Sequence, residues 1–212
     1  MTGKKRGLKA ALCAAVLAVS GTVAMAQSTA SSTSTAVNAK YAEFLAALRH
    51  MESRGNYRAV NTLNFIGAYQ FGEAALIDLG YVRRDGDPYD NNYGGGFTGK
   101  HGIRSVKDFL NHPEVQDRAA QTWLRTMWRY IQADGLSRHA WTKVGDVTLT
   151  PSGMLAATHL LGTGALKEFI RSDGRANIRD PYGMPLATYI TKVQGYDVPF
   201  GPKRPQKYAS LN

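Results

Sequence analysis

Apolar side chains recur three or four residues apart along much of this chain, and that spacing predicts a mainly α-helical fold. The first such segment runs from Asn38, a suitable N-cap, to about Arg54, and Gly55 ends it. Its apolar residues share one helix face, which consists of Tyr41, Phe44, Leu45, Leu48 and Met51.

Residues that favour helix ends bound the other segments. Thr150 and Pro151 form an N-cap and first-turn pair, Pro113 suits another first turn, and Ser105 with Asp108 resembles a capping arrangement. The predicted helices are Asn38–Arg54, Ala68 or Gln70 to Leu79, Ser105–Leu110, Pro113–Ala133, Pro151–Gly162, Ala165–Arg171 and Pro185–Val193.

Strand signals are scarce. From Arg83 to Gly102 the composition shifts to Gly, Asp, Asn and Tyr, with three consecutive glycines at Gly94–Gly96. This region predicts a long loop or a small β-hairpin, and a loop of that length in a compact domain is often functional. Because no repeat period occurs, residues 39–212 are expected to form one domain.

The first 26 residues have the layout of a secretory signal peptide. Lys4, Lys5, Arg6 and Lys9 precede an apolar run over residues 10–19, and small residues follow at 24 and 26. Residues 27–38 are a Ser/Thr-rich tract, interpreted as a flexible leader. The apolar run is shorter than the about 20 residues of a membrane span, so no stable span is expected after cleavage, although an uncleaved anchor is the alternative. The expected location is periplasmic or secreted.

Cysteine content and charge exclude several functional classes. The only cysteine, Cys13, lies in the expected signal peptide, so disulfides, thiol catalysis and cysteine-ligated zinc are excluded from the rest. The five histidines lack zinc-ligand spacing, and no cofactor or metal is expected. The formal net charge of the whole chain is +10, and removing the four basic residues of the signal leaves +6. An exported chain of that charge suits an acidic cell wall rather than nucleic acid.

Glu52 is the most informative polar residue. It lies four residues after Leu48 and seven after Leu45, on the apolar face of the first helix. Partial burial and the negative end of the helix dipole both favour the protonated carboxyl group, so its pKa should be raised. Such a group can act as a general acid near neutral pH, whereas the alternative is a surface glutamate at a frayed helix end.

Four ordered motifs resemble those of the soluble lytic transglycosylase family, within the lysozyme-like superfamily. They differ from the family pattern at several positions, including the second motif, which has Ala-Tyr where the family has Leu-Met. The resemblance implies a lysozyme-like domain with its cleft between the Glu52 helix and the Gly67–Gly72 turn. The motifs are Glu52–Gly55, Gly67–Gly72, Ala157–Gly162 and Thr188–Val193.

The resemblance also implies a reaction. Glu52 would protonate the glycosidic oxygen between N-acetylmuramic acid and N-acetylglucosamine of peptidoglycan and then accept the C6 hydroxyl proton, which gives a 1,6-anhydro product. Ser53 and Gln70 would position substrate or the carboxyl group, and Tyr189 would hydrogen-bond to Glu52 or to the sugar. Two further residues of these motifs are candidate substrate contacts: Tyr69 and His159.

Three alternatives stay open. A hydrolase needs a second carboxylate, about 5–5.5 Å away in a retaining enzyme and about 6.5–9.5 Å away in an inverting one. Glu73 is the first candidate, ahead of Asp85, Asp87 and Asp90, for which turn formation is the simpler interpretation. The chain could instead bind glycan without cutting it, with envelope or secretion-system proteins as partners, or act on another polysaccharide such as chitin.

Overall fold

The computed structural model describes residues 39–211, and the predicted signal peptide, leader and Asn38 cap lie outside this range. The first helix, α1, covers residues 39–53 and buries Phe44, Leu45 and Leu48. It ends where Arg54 and Gly55 adopt positive φ angles of 56° and 79°. Glu52 therefore lies in the last turn of α1, as the sequence predicts.

The remaining helices confirm most of the predicted boundaries. Ser105 caps α3 by accepting a hydrogen bond from the Asp108 N–H, and Thr150 caps α5 in the same way through Gly153. Proline occupies the first turn of both α4 and α5. The helices after α1 are α2 (Glu73–Asp78), α3 (Val106–Leu110), α4 (Pro113–Ala133), α5 (Pro151–Arg171) and α6 (Leu186–Thr191), with short 3₁₀ turns at Lys100–Gly102, Leu136–His139 and Gln206–Tyr208.

One helix prediction needs correction, and the predicted break at Gly162 is confirmed. The second helix begins at Glu73 rather than at residue 68 or 70, because the preceding residues form a tight turn closed by an antiparallel bridge between Ile66 and Phe71. The helices predicted at 151–162 and 165–171 are consecutive parts of α5. Gly162 separates them with a φ of 78° and a ψ of 173°, a conformation that is almost confined to glycine.

The two-stranded sheet is not in the glycine-rich region. Strands β1 (Thr142–Val144) and β2 (Val147–Leu149) form an antiparallel hairpin, whereas the glycine-rich region contains an isolated bridge between Val82 and Phe97. The signal was present in Gly145-Asp146, a two-residue turn between apolar segments, and Gly145 has the positive φ that such a turn requires.

The hydrophobic core surrounds the first half of α5. Residues 154–157 of that helix are completely buried, and α5 packs against α4 on one side and α6 on the other. The described residues all belong to one compact unit, and its largely helical content agrees with the predicted mainly α fold. Within this range, no helix has both the length and the apolar character that crossing a membrane would require.

Candidate active site

Glu52 is a largely buried carboxyl group with a raised pKa. Its side chain is 11% exposed. Burial is the largest cause of the raised pKa, and the negative charge of Asp180 adds to it, whereas His159 and the hydrogen bond from Tyr189 oppose it. The structure thus places at the end of α1 a carboxyl group whose pKa is raised by burial, and a raised pKa favours a role as a general acid.

Two side chains from distant parts of the sequence meet Glu52 at the same oxygen, Oε1. The Tyr189 hydroxyl on α6 donates a hydrogen bond to it, and burial raises the pKa of Tyr189 far above its usual value, so the phenol stays protonated. His159 on α5 places Nε2 3.5 Å from the same oxygen. His159 Nε2 also lies 2.9 Å from the Tyr69 carbonyl oxygen, which only accepts hydrogen bonds, so this nitrogen carries a proton.

The other oxygen of Glu52, Oε2, has no hydrogen-bond partner among the described residues. Across residues 39–211, no side-chain or backbone group donates a hydrogen bond to Oε2, and Oε2 is not one of the buried polar atoms that lack a partner. Because Oε1 accepts from the Tyr189 hydroxyl, a proton on the carboxyl group would be carried by Oε2. The geometry therefore presents one defined oxygen for proton transfer.

The turn at residues 67–72 is attached directly to the end of α1. The Ser53 hydroxyl donates to the Ala68 carbonyl oxygen at 2.9 Å, so Ser53 positions the turn. Gln70 has a φ of 49°, and its side-chain amide donates to the Gly67 carbonyl oxygen at 2.8 Å. The hydrogen bonds of both predicted residues thus hold the local backbone, and Gln70 is partly exposed.

Gln116 on α4 holds the same turn and was missed by the sequence-based predictions. Its buried side-chain oxygen accepts from the Ala68 N–H at 2.8 Å, and its amide donates to the carbonyl oxygens of Tyr57 and Phe109. A Cβ on Gly67 would lie 2.3 Å from this oxygen, which explains why glycine occupies that position. The helical spacing of α4 predicts burial here but gives no sign of the partner.

Tyr69 is buried inside the protein and stabilises the turn through polar contacts. Its ring is fully buried, and its hydroxyl donates to Asp117 Oδ1 at 2.7 Å while Arg49 donates to it at 2.9 Å. Tyr57 also donates to the Asp117 carboxylate, at 2.9 Å. These polar contacts join α1, the turn and α4. The burial of Tyr69 corrects the expectation that its side chain contacts substrate.

Glu73 is also buried, which does not suit a second catalytic carboxylate. Its side chain has no exposed surface, and Oε2 accepts from the Tyr93 N–H at 2.8 Å. A carboxylate that activates water needs access to both water and substrate. Glu73 instead lies with Asp85 and Asp90 of the glycine-rich loop, where one carboxylate oxygen of each residue is within 4.8 Å of the others.

Asp180 is a carboxylate near Glu52 that the sequence-based predictions missed. Its negative charge raises the pKa of both Glu52 and Tyr189. Its Oδ1 accepts the backbone N–H groups of Tyr182 and Met184, which fixes it in a turn. The Asp-Pro-Tyr-Gly sequence at 180–183 has the residues of a β-turn, but nothing in it indicates proximity to α1.

The chain matches no protein-family model, no curated protein and no solved structure. Function is therefore inferred from the side chains around Glu52 and from the motifs that contain them.

Proposed function

We propose that this chain is an exported, lysozyme-like enzyme that cleaves the glycan strands of peptidoglycan by a lytic transglycosylase-type reaction. The environment of Glu52 supports the proposal: burial raises its pKa, Tyr189 donates to Oε1 with His159 nearby, and no group within residues 39–211 pairs with Oε2. A carboxyl group that keeps its proton near neutral pH is suited to protonating a leaving oxygen. Residues 1–26 would direct the enzyme to the periplasm or the medium.

The reaction balances with Glu52 as the single acid and base. Glu52 donates its proton to the glycosidic oxygen that joins N-acetylmuramic acid to N-acetylglucosamine. The bond from C1 of the muramic acid to that oxygen breaks, and N-acetylglucosamine leaves as an alcohol. The C6 oxygen of the muramic acid then bonds to C1, and its hydroxyl proton returns to Glu52. No water is consumed, and the enzyme regains its starting protonation state.

Tyr189 and His159 act on the carboxylate formed midway through this reaction. Once Glu52 has lost its proton, the Tyr189 hydroxyl stabilises the negative charge at Oε1, because hydrogen bonds to an ionised group are stronger than neutral ones. His159 Nε2 lies 3.5 Å from the same oxygen, while its N–H faces the Tyr69 carbonyl oxygen. The carboxylate is then basic enough to recover a proton, since its burial is unchanged. This alternation between acid and base is what a one-carboxylate mechanism requires.

Asp180 is the observation that favours a hydrolase as the second candidate. Its charge acts on Glu52, and a carboxylate there could activate a water molecule in place of the C6 hydroxyl. The product would then end in a reducing sugar rather than in an anhydro ring. A glycan-binding module without activity is the third candidate, and it predicts binding to peptidoglycan with no release of fragments.

Mass spectrometry of fragments released from purified peptidoglycan tests the proposal. The protein should release muropeptides that are lighter by one water than their reducing-end counterparts, and Glu52→Gln should release none. Glu43→Gln is the matched control, because Glu43 is on the exposed face of the same helix. It should leave release unchanged.

Each outcome separates the candidates. Reducing-end fragments that disappear in Asp180→Asn would establish the hydrolase. Binding to peptidoglycan without fragments from the unmodified protein would leave only the binding module. Release that continues in Glu52→Gln would overturn the assignment of Glu52.

A further inference from the structure

A second group of acidic side chains lies away from Glu52, where the glycine-rich loop meets α2. Glu73 begins α2, and Asp85 and Asp90 belong to the loop. One carboxylate oxygen from each of the three residues lies within 4.8 Å of the other two. Three like charges so close together repel one another, and both aspartates raise the pKa of Glu73.

One oxygen in this group has no partner. Glu73 is fully buried, and while its Oε2 accepts from the Tyr93 N–H, its Oε1 is buried without any hydrogen-bond donor in the described chain. Leaving a buried acceptor unpaired is unfavourable, and leaving a buried carboxylate partly unpaired is more so. The arrangement therefore lacks a positively charged or donating group at Oε1.

No basic side chain supplies that charge. Within residues 39–211, none of the ion pairs involves Glu73, Asp85 or Asp90. The loop backbone also approaches closely: a Cβ on Gly94 would lie 2.8 Å from Asp85 Oδ2. Glycine at this position gives the Asp85 carboxylate room beside the backbone.

We propose that Glu73, Asp85 and Asp90 bind one Ca²⁺ ion. Calcium is a hard cation that takes carboxylate and carbonyl oxygens at about 2.3–2.6 Å, and oxygens grouped this closely fit around a single ion of that kind. Mg²⁺ is less suitable, because it requires near-ideal octahedral geometry and retains several waters. The two positive charges of the ion offset two of the three negative charges and give the buried Glu73 carboxylate a partner.

The consequence of binding is that the loop is joined to the core beside the 67–72 turn. Tyr93, whose N–H already contacts Glu73, donates its hydroxyl to the carbonyl oxygens of Asn64 and Phe71 at 2.7 and 3.0 Å. Asn91 adds contacts to the Glu73 N–H and the Leu63 carbonyl oxygen. Calcium should therefore stabilise the loop and these segments together, whatever reaction Glu52 performs.

Calorimetric titration of the chelator-treated protein with CaCl₂ tests the site directly. We expect one ion per chain, with a dissociation constant in the range of about 10⁻⁴–10⁻³ M that is typical of extracellular calcium modules. Binding of that strength should raise Tm by roughly 3–10 °C at about 10 mM CaCl₂. Both readouts are independent of activity on peptidoglycan, so they can fail or succeed separately from the proposed function.

Variants in the loop locate the site. Asp85→Asn and Asp90→Asn should each weaken binding roughly tenfold or more. Asp87→Asn is the matched control, because Asp87 is exposed in the same loop and outside the group of three. All three replacements keep Oδ1, which accepts backbone N–H groups in this loop.

Glu73→Gln adds a readout that distinguishes a binding role from a structural one. It should abolish the calcium response, and in chelator its Tm should not fall below that of the unmodified protein, because it removes one of three closely grouped like charges. Absence of both binding heat and a Tm change would overturn the proposal. So would equal losses in Asp87→Asn and Asp85→Asn, and tighter binding of MgCl₂ than of CaCl₂ would overturn the choice of ion.

Discussion

Replacement of Tyr189 by phenylalanine should move the pH at which Glu52 loses its proton. The Tyr189 hydroxyl donates to Glu52 Oε1, which favours the ionised carboxylate and lowers its pKa against the larger opposing effect of burial. Phenylalanine removes that donor while keeping the ring, which is 4% exposed. The pKa of Glu52 should therefore rise further above its usual value.

The size of the change follows from the position of the pair. A hydrogen bond to an ionised group contributes about 1.5–3 kcal/mol. Because the Glu52 side chain is only 11% exposed, water has little access to replace the hydrogen bond from Tyr189. Since about 1.4 kcal/mol corresponds to one pH unit, the titration midpoint of Glu52 should rise by about 1–2 pH units. His159 remains near Oε1, which places the effect nearer the lower value.

Carbon-13 NMR of the glutamate side-chain carboxyl groups measures this midpoint without relying on activity, with Glu52→Gln used to assign the signal. The pH profile of peptidoglycan cleavage should change in parallel, because activity that needs protonated Glu52 is lost at a higher pH in the variant. Tyr182→Phe, which removes an exposed hydroxyl bonded to Thr62, is the control. An unchanged or lower midpoint in Tyr189→Phe would refute the role assigned to this hydrogen bond.

Three further predictions concern stability. Gln116→Leu should destabilise the protein by about 3 kcal/mol in urea unfolding, because it leaves the buried Ala68 N–H without its partner and removes hydrogen bonds to the Tyr57 and Phe109 carbonyl oxygens. An unchanged unfolding midpoint would contradict this. Gly162→Ala should lower the free energy of unfolding by about 1–3 kcal/mol through backbone strain alone, because a Cβ there meets nothing within 4 Å. Equal stability in urea unfolding would show that the backbone relaxes. Glu52→Gln should increase Tm more at pH 8 than at pH 5. The folded-state pKa of Glu52 is raised, so its stabilising contribution is present at low pH and is lost as pH rises through that pKa; an increase that is equal at both pH values would contradict the assignment.

The position of Glu52 shows how far local sequence reasoning reaches. Its spacing from Leu45 and Leu48 places it on the buried face of α1, and both burial and a raised pKa follow from that placement. The helix ends at Gly55 because glycine tolerates a positive φ. The caps at Ser105 and Thr150 were equally predictable, because each depends on residues within three positions of one another.

The rest of the site depends on contacts between residues far apart in sequence. Gln116, Asp117 and Asp180 carry no local mark of function, and they act because α4 and the turn at 180–183 pack near the end of α1. The burial of Tyr69 and Glu73 likewise results from the packing of neighbouring segments, which spacing along one element does not specify.

The sequence by itself thus determined the helices, their caps and the carboxylate that faces the core, because helix geometry relates residues three and four apart through a fixed rise and rotation. The tertiary structure decided which groups surround that carboxylate and which oxygen they hold. It also decided that Glu73 joins Asp85 and Asp90 rather than Glu52. The physical reason is that desolvation and charge interactions depend on distance in space, and packing of the whole core sets that distance.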